Sequence, residues 1–240
     1  MITHPQPTVP STIPDPDEER RRVQTARLLA YRDDGPLVSA LRGLVGPGLP
    51  TVLGTPLALA AVAAIGLSGM LTSGSGAVML TPALAMLVFV LPTAARDHLS
   101  RFDWLVPPLI RGAEFLAILF VGLAADVPKW LLFVLLYVVG YHTYDTVYRT
   151  RQRIWPPRWV FLAGLGWELR LLVICAGAAL GAATWTVAAL TVYLGVLFAS
   201  ESITSWVRLD KESANASASD DLEQSPEEAQ EQEAGDADPN

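Results

Sequence analysis

Cysteine is nearly missing from this chain, with Cys175 the only one in 240 residues. A disulfide framework within the chain is therefore excluded, and a lone thiol between apolar neighbours reads as inert packing. Lysine is scarce too, at two against fifteen arginines. No Walker-type phosphate loop, HExxH metal motif, GxSxG elbow or zinc-spaced Cys/His set occurs. The reactions those motifs serve find no support in the sequence. The opening residues, MITHPQPTVPSTIPDPDEERRR, lack the basic start and apolar core of a signal peptide. The first spanning helix is then expected to serve as the insertion signal. No nucleic-acid module surrounds the basic residues, so no nucleic-acid partner is expected.

Apolar residues are abundant. They make up 51% of the chain, and the mean hydropathy is +0.35, which points to the membrane class. The net charge of −7 is unevenly placed. From Trp206 onward there are two basic and eleven acidic residues, a balance of −9, so the preceding residues carry +2. The acidity belongs to a tail.

Runs of about 17–25 apolar residues suffice to cross a hydrocarbon core of ~30 Å. Six are expected, at 51–71, 77–95, 107–126, 130–148, 163–182 and 184–206. The third is entered through Pro107 and Pro108, where missing amide donors do little harm. The fold class is therefore all-α: a polytopic membrane protein with six transmembrane helices. Lys and Arg placement orients it. An even number of spans puts fourteen of the seventeen basic residues on one face, leaving Lys129 opposite and Arg111 and Arg170 within the membrane. Both termini are then expected in the cytoplasm and the chain in a bacterial inner membrane.

Three regions follow. Residues 1–50 form a cytoplasmic arm with a short basic helix, 51–206 the membrane domain and 207–240 an acidic cytoplasmic tail. In the arm, Asp15 suits an N-cap, Pro16 the first helical position and Glu18 a capping-box-like start, while Gly35-Pro36 should end the helix. Arg20, Arg21, Arg22 and Arg27 can rest on anionic lipid or simply be solvated. The tail has no aromatic residue after Trp206 and is expected to be disordered.

Charges inside lipid are expensive, at least ~2.5–3.5 kcal/mol each at the bilayer centre, so they usually face a bundle interior or watery cavity. The topology gathers them in the inner half of the bundle. Arg111 and Glu114 open the third span, and His142, Asp145 and Arg149 share one face at the end of the fourth. Glu168 and Arg170 open the fifth, and Glu201 closes the sixth. Two readings fit these residues. One is a polar cavity that holds a phosphate, sugar or lipid headgroup. The other is a set of ion pairs, Arg111 with Glu114 and Glu168 with Arg170, anchoring helix ends. Tyr137, Tyr141, Tyr144 and Tyr148 form a separate stripe on the fourth span. Glycines 177 and 181 permit a close helix contact, read as packing within the bundle.

At YRDDGPLVSAL (31–41), RFDWLVPPLIRGAEF (101–115), YHTYDTVYRTRQR (141–153), GWELRLL (166–172) and FASESITSW (198–206) the chain resembles an actinobacterial membrane domain of unknown function. That domain is often found C-terminal to CDP-alcohol phosphatidyltransferase domains. A more distant similarity is to those transferases themselves, whose signature DGxxARx8GxxxDxxxD holds divalent metal. Asp103 matches the earlier of the last two aspartates, and Pro107 stands where the other is needed. With one carboxylate of four, the resemblance implies a catalytically degenerate relative.

The expected function is that of a non-catalytic accessory or binding protein in phospholipid or glycolipid synthesis. Its partners would be membrane lipids and a CDP-alcohol phosphatidyltransferase; no cofactor is expected. The candidate polar cavity comprises Asp103, Arg111, Glu114, His142, Asp145, Arg149, Glu168, Arg170 and Glu201. The alternatives are a CDP-alcohol phosphatidyltransferase-like transferase, which would need Mg²⁺ or Mn²⁺, and a small transporter. The transporter fits less well: no paired halves with interrupted helices appear, and the outer half offers no polar path.

Overall fold

Local chemistry sets where the helices begin and end. The computed structural model describes residues 16–45, 48–96 and 99–235, with side chains as far as Asn215. Among the described residues there are helices and turns and no strand, as an all-α chain requires. Helix α1, Pro16–Arg32, starts on proline and carries Asp17, Glu18 and Glu19 in its first turn, where the helix dipole favours negative charge. The expected cap, Asp15, lies outside the described residues. A turn through Asp33, Asp34 and Gly35 leads to α2, Pro36–Val45, which again begins on proline.

Helix α3, Thr51–Leu67, stops short of the expected residue 71 because Gly69 turns left-handed at φ 77° and starts a 3₁₀ turn. The second apolar run is segmented into a 3₁₀ turn at Ala77–Leu80, helix α4 at Thr81–Val90 and a 3₁₀ turn at Leu91–Thr93, where Pro92 cannot donate. Helices α5, Val106–Ala124, and α6, Lys129–Arg151, lie close to their expected bounds. The fifth run is broken at residues 164–166, giving α7, Arg158–Ala163, and α8, Gly166–Ala179. Leu165 and Gly166 are both left-handed there, at φ 68° and 59°. Helix α9 runs over Ala183–Gly235, so the tail expected to be disordered is helical backbone through much of its length. Alanine, glutamate and glutamine are strong helix formers and abundant there.

Among the described residues, three helical stretches are long and apolar enough to cross a membrane: Asp103–Ala124, Arg158–Ala179 and Ala183–Asn215. Thr51–Leu67 and Ala77–Thr93 are apolar but shorter. The 23 residues of α6 sort their aromatic and charged side chains by burial. Tyr137, Tyr141, Tyr144 and Tyr148 form an exposed stripe, and His142, Asp145 and Arg149 are buried on the adjoining face. The tyrosine stripe thus faces outward and the polar set inward.

The chain forms two compact units, Met1–Gly195 and Val196–Asn240. In the first, α3 packs on α4 and α5, α5 on α8, α1 on α5 and α6, and α2 on α8. Lipid tails are as apolar as leucine, so contacts between spans rely on close van der Waals packing, with small residues at the seams. Ala113, Ala117 and Ala178 are buried at such seams, and a Cβ on Gly177 would overlap the Thr186 side chain. The Gly177 contact is therefore packing within the first unit.

Candidate functional site

The turn between α1 and α2 is the centre of the polar interior. Asp33 sits left-handed at φ 53°, a conformation aspartate tolerates better than most residues. Gly35 must be glycine: a Cβ there would overlap the Leu165 carbonyl and the Glu168 carboxylate. Gly166 is equally constrained, because a Cβ on it would strike the backbone of Gly35. The two turns therefore press together, and the Trp167 N–H donates to the Asp33 carbonyl at 3.2 Å.

This contact delivers Asp33 to two arginines on different helices. Its Oδ2 accepts from Arg170 Nη2 at 2.7 Å and from Arg111 Nη2 at 3.2 Å. Glu114 joins the same pair, accepting from Arg170 Nε at 2.9 Å on one oxygen and from Arg111 Nη1 on the other. Arg170 Nη1 donates to the Gly164 carbonyl at 3.0 Å. All four side chains are buried, Arg170 and Glu114 completely. The result is a quartet of two carboxylates and two guanidiniums with no net charge. His142 borders it, with Nε2 4.0 Å from Asp33 Oδ1.

Burial alone would raise the pKa of Asp33. Arg170 first, then Arg111 and His142, outweigh that penalty and hold the carboxyl below its ordinary value. Asp33 is therefore ionised at neutral pH.

Around the quartet, other polar groups fasten helix ends. Glu168 turns away from Arg170, two residues on, because side chains at i and i+2 do not share a helix face. It accepts instead from the Gly35 and Val38 N–H groups at 3.0 and 3.2 Å, capping α2 from a distant part of the chain. Asp34 accepts from Arg32 Nε and Trp167 Nε1, each at 2.9 Å. Arg32 also reaches Thr93 Oγ1 at 3.1 Å. Asp103 serves a separate joint, accepting from Thr51 Oγ1 at 2.5 Å and the Ser100 N–H at 2.8 Å. Asp145 and Arg149 pair along α6 at 2.7 Å. Glu201, in the second unit, accepts from Ser205 Oγ at 2.9 Å.

Of the nine residues expected to line one cavity, Arg111, Glu114, Arg170 and His142 meet around Asp33, with Glu168 of α8 turned to the start of α2. Sequence reasoning missed Asp33 and Asp34, treating their turn only as a helix stop. Two adjacent acids ahead of Gly-Pro, between arginine-bearing segments, were the available signal.

The quartet leaves little space. A slit beside it, lined by Tyr31, Asp33, Arg111, His142, Thr143 and Thr146, is too narrow for a water-sized body. Among the described residues, no three His, Cys, Asp or Glu side chains come together as a metal-ligand set.

No curated protein and no solved structure matches the chain. A family profile does, over residues 22–225, which takes in every residue of the quartet and its surroundings. The chain belongs to the DUF5941 family, a family of unknown function.

Proposed function

We propose that this chain is a multi-pass protein of a bacterial inner membrane, with six spans and both termini in the cytoplasm. It acts as a non-catalytic accessory or binding protein in phospholipid or glycolipid synthesis, alongside membrane lipids and a CDP-alcohol phosphatidyltransferase. The arginine-rich arm, second and fourth loops and start of the tail favour that orientation, since an even number of spans collects them on one side.

One observation carries the non-catalytic part: the buried charges of the quartet are paired with one another in a space too tight for a substrate. Metal-assisted or acid–base transfer needs a carboxylate with open lone pairs facing a space that substrate can enter. Both oxygens of Glu114 are engaged by arginine; Asp33 Oδ1 accepts no hydrogen bond among the described residues, but the slit that Asp33 lines admits nothing the size of water.

The test uses the purified full chain with Mg²⁺ or Mn²⁺, CDP-diacylglycerol and a panel of alcohols. No CMP release above a protein-free blank is expected, while loss of the protein from its host shifts the phospholipid or glycolipid profile. CMP release that Glu114→Gln abolishes would overturn the non-catalytic reading. An unchanged lipid profile would overturn the accessory role.

A further inference from the structure

A second polar feature lies outside the quartet. A groove of about 760 Å³ opens between α1, the end of α6 and the segment before α5. Four arginines line it, namely Arg20, Arg27, Arg151 and Arg153, against one carboxylate, Glu19. Arg20 is already paired with Asp17 at 2.5 Å. The remaining three arginines and Glu19 leave a local charge of +2.

Two details set this groove apart from an ordinary solvated basic face. The Nε of Arg27 is buried and meets no acceptor among the described residues. A buried guanidinium N–H without a partner is unfavourable and is relieved when an anion supplies one. Arg153 occupies the left-handed position that ends α6, at φ 64°. There the Ile154 N–H donates to the Arg149 carbonyl at 3.0 Å and the Arg153 N–H to the Thr150 carbonyl at 3.2 Å. This is a Schellman ending, which ordinarily takes glycine. Arginine there is less stable than glycine would be, and it puts a charge at the groove. Trp104 and Trp155 also line the groove and are 62% and 43% exposed, giving the apolar-and-polar edge that suits a membrane interface.

We propose that this groove binds a phosphomonoester, whose charge of about −1.5 to −2 matches the local +2 and whose three terminal oxygens can accept from Arg27, Arg151 and Arg153. The proposal rests on the binding role above and assigns it a place. The phosphate arrives either on a lipid headgroup or on a soluble metabolite.

Two arms distinguish the sources. In one, glycerol 3-phosphate is titrated onto the full chain in phosphatidylcholine nanodiscs, reading tryptophan emission. In the other, native mass spectrometry follows retention of phosphatidic acid against phosphatidylcholine in detergent. Saturable binding of one phosphomonoester is expected in at least one arm. Response to glycerol 3-phosphate assigns a soluble source, and response to phosphatidic acid alone a lipid one; either supports the site. Arg27→Gln, Arg151→Gln and Arg153→Gly should each weaken binding about tenfold, the loss expected for one charge-assisted contact. Arg153→Gly should do so with an unchanged or higher melting temperature, an outcome a structural role for this arginine does not produce. Absence of saturable binding in both arms overturns the proposal. So does wild-type affinity in the three variants. Either failure leaves the CMP and lipid-profile results standing on their own.

Discussion

Replacing Arg170 by methionine keeps much of the side-chain volume and removes the charge that joins α8 to α5 and to the α1–α2 turn. Arg170 donates to Glu114 at 2.9 Å and to Asp33 at 2.7 Å, from a fully buried position. Hydrogen bonds to charged groups contribute roughly 1.5–3 kcal/mol each, so two of them suggest roughly 3–6 kcal/mol. The loss measured when one partner of a buried pair is removed is similar, about 3–5 kcal/mol, because the other charge stays buried and unpaired. Here two carboxylates would share Arg111 alone. In a chain of this size about 1 kcal/mol shifts Tm by about 2–4 °C, so Arg170→Met should lower it by roughly 6–20 °C. Thermal unfolding of the detergent-solubilised protein, followed by circular dichroism, reads this directly. A drop of under about 2 °C would refute the view that the quartet holds the helices together.

Glu168→Ala should expose the Gly35 and Val38 N–H groups and destabilise by about 1–2 kcal/mol, read as a lower Tm, with Glu168→Gln recovering part of the loss. The lowered pKa of Asp33 gives a pH signature. Its stabilising contribution is fully present above the unfolded value of about 3.9 and is lost as pH falls through the lower native value. The Tm of wild type should therefore fall in acid more than that of Asp33→Asn; identical acid limbs would contradict the assignment.

Much of the bundle was legible because helix signals are local. Pro16 starts α1, Gly35-Pro36 separates it from α2, and the apolar runs at 107–126 and 130–148 show their helices by length alone. The pairing of Arg111 with Glu114 was legible for the same reason, being one helical turn apart. What escaped the sequence was tertiary. Glu168 and Arg170 look like partners in a linear reading, yet a 100° step per residue sends them to opposite sides, one to the α2 amides and one to the quartet. The break at residues 164–166 exists because two turns must touch, and Gly35 is 131 residues away in sequence. Asp33 is polar in a place where polar residues usually face water. Only the fold reveals that Arg111 and Arg170 converge on it.

The decisive measurement removes the quartet as a unit: Asp33→Asn, Arg111→Met, Glu114→Leu and Arg170→Met in one chain, with asparagine retained at the left-handed position. Eliminating the four quartet charges together should restore most of the stability that Arg170→Met alone forfeits. If these charges only join helices, the folded variant retains glycerol 3-phosphate or phosphatidic acid as the wild type does. A variant that unfolds cooperatively near the wild-type Tm yet has lost that retention would make the quartet the ligand site instead of the frame around it.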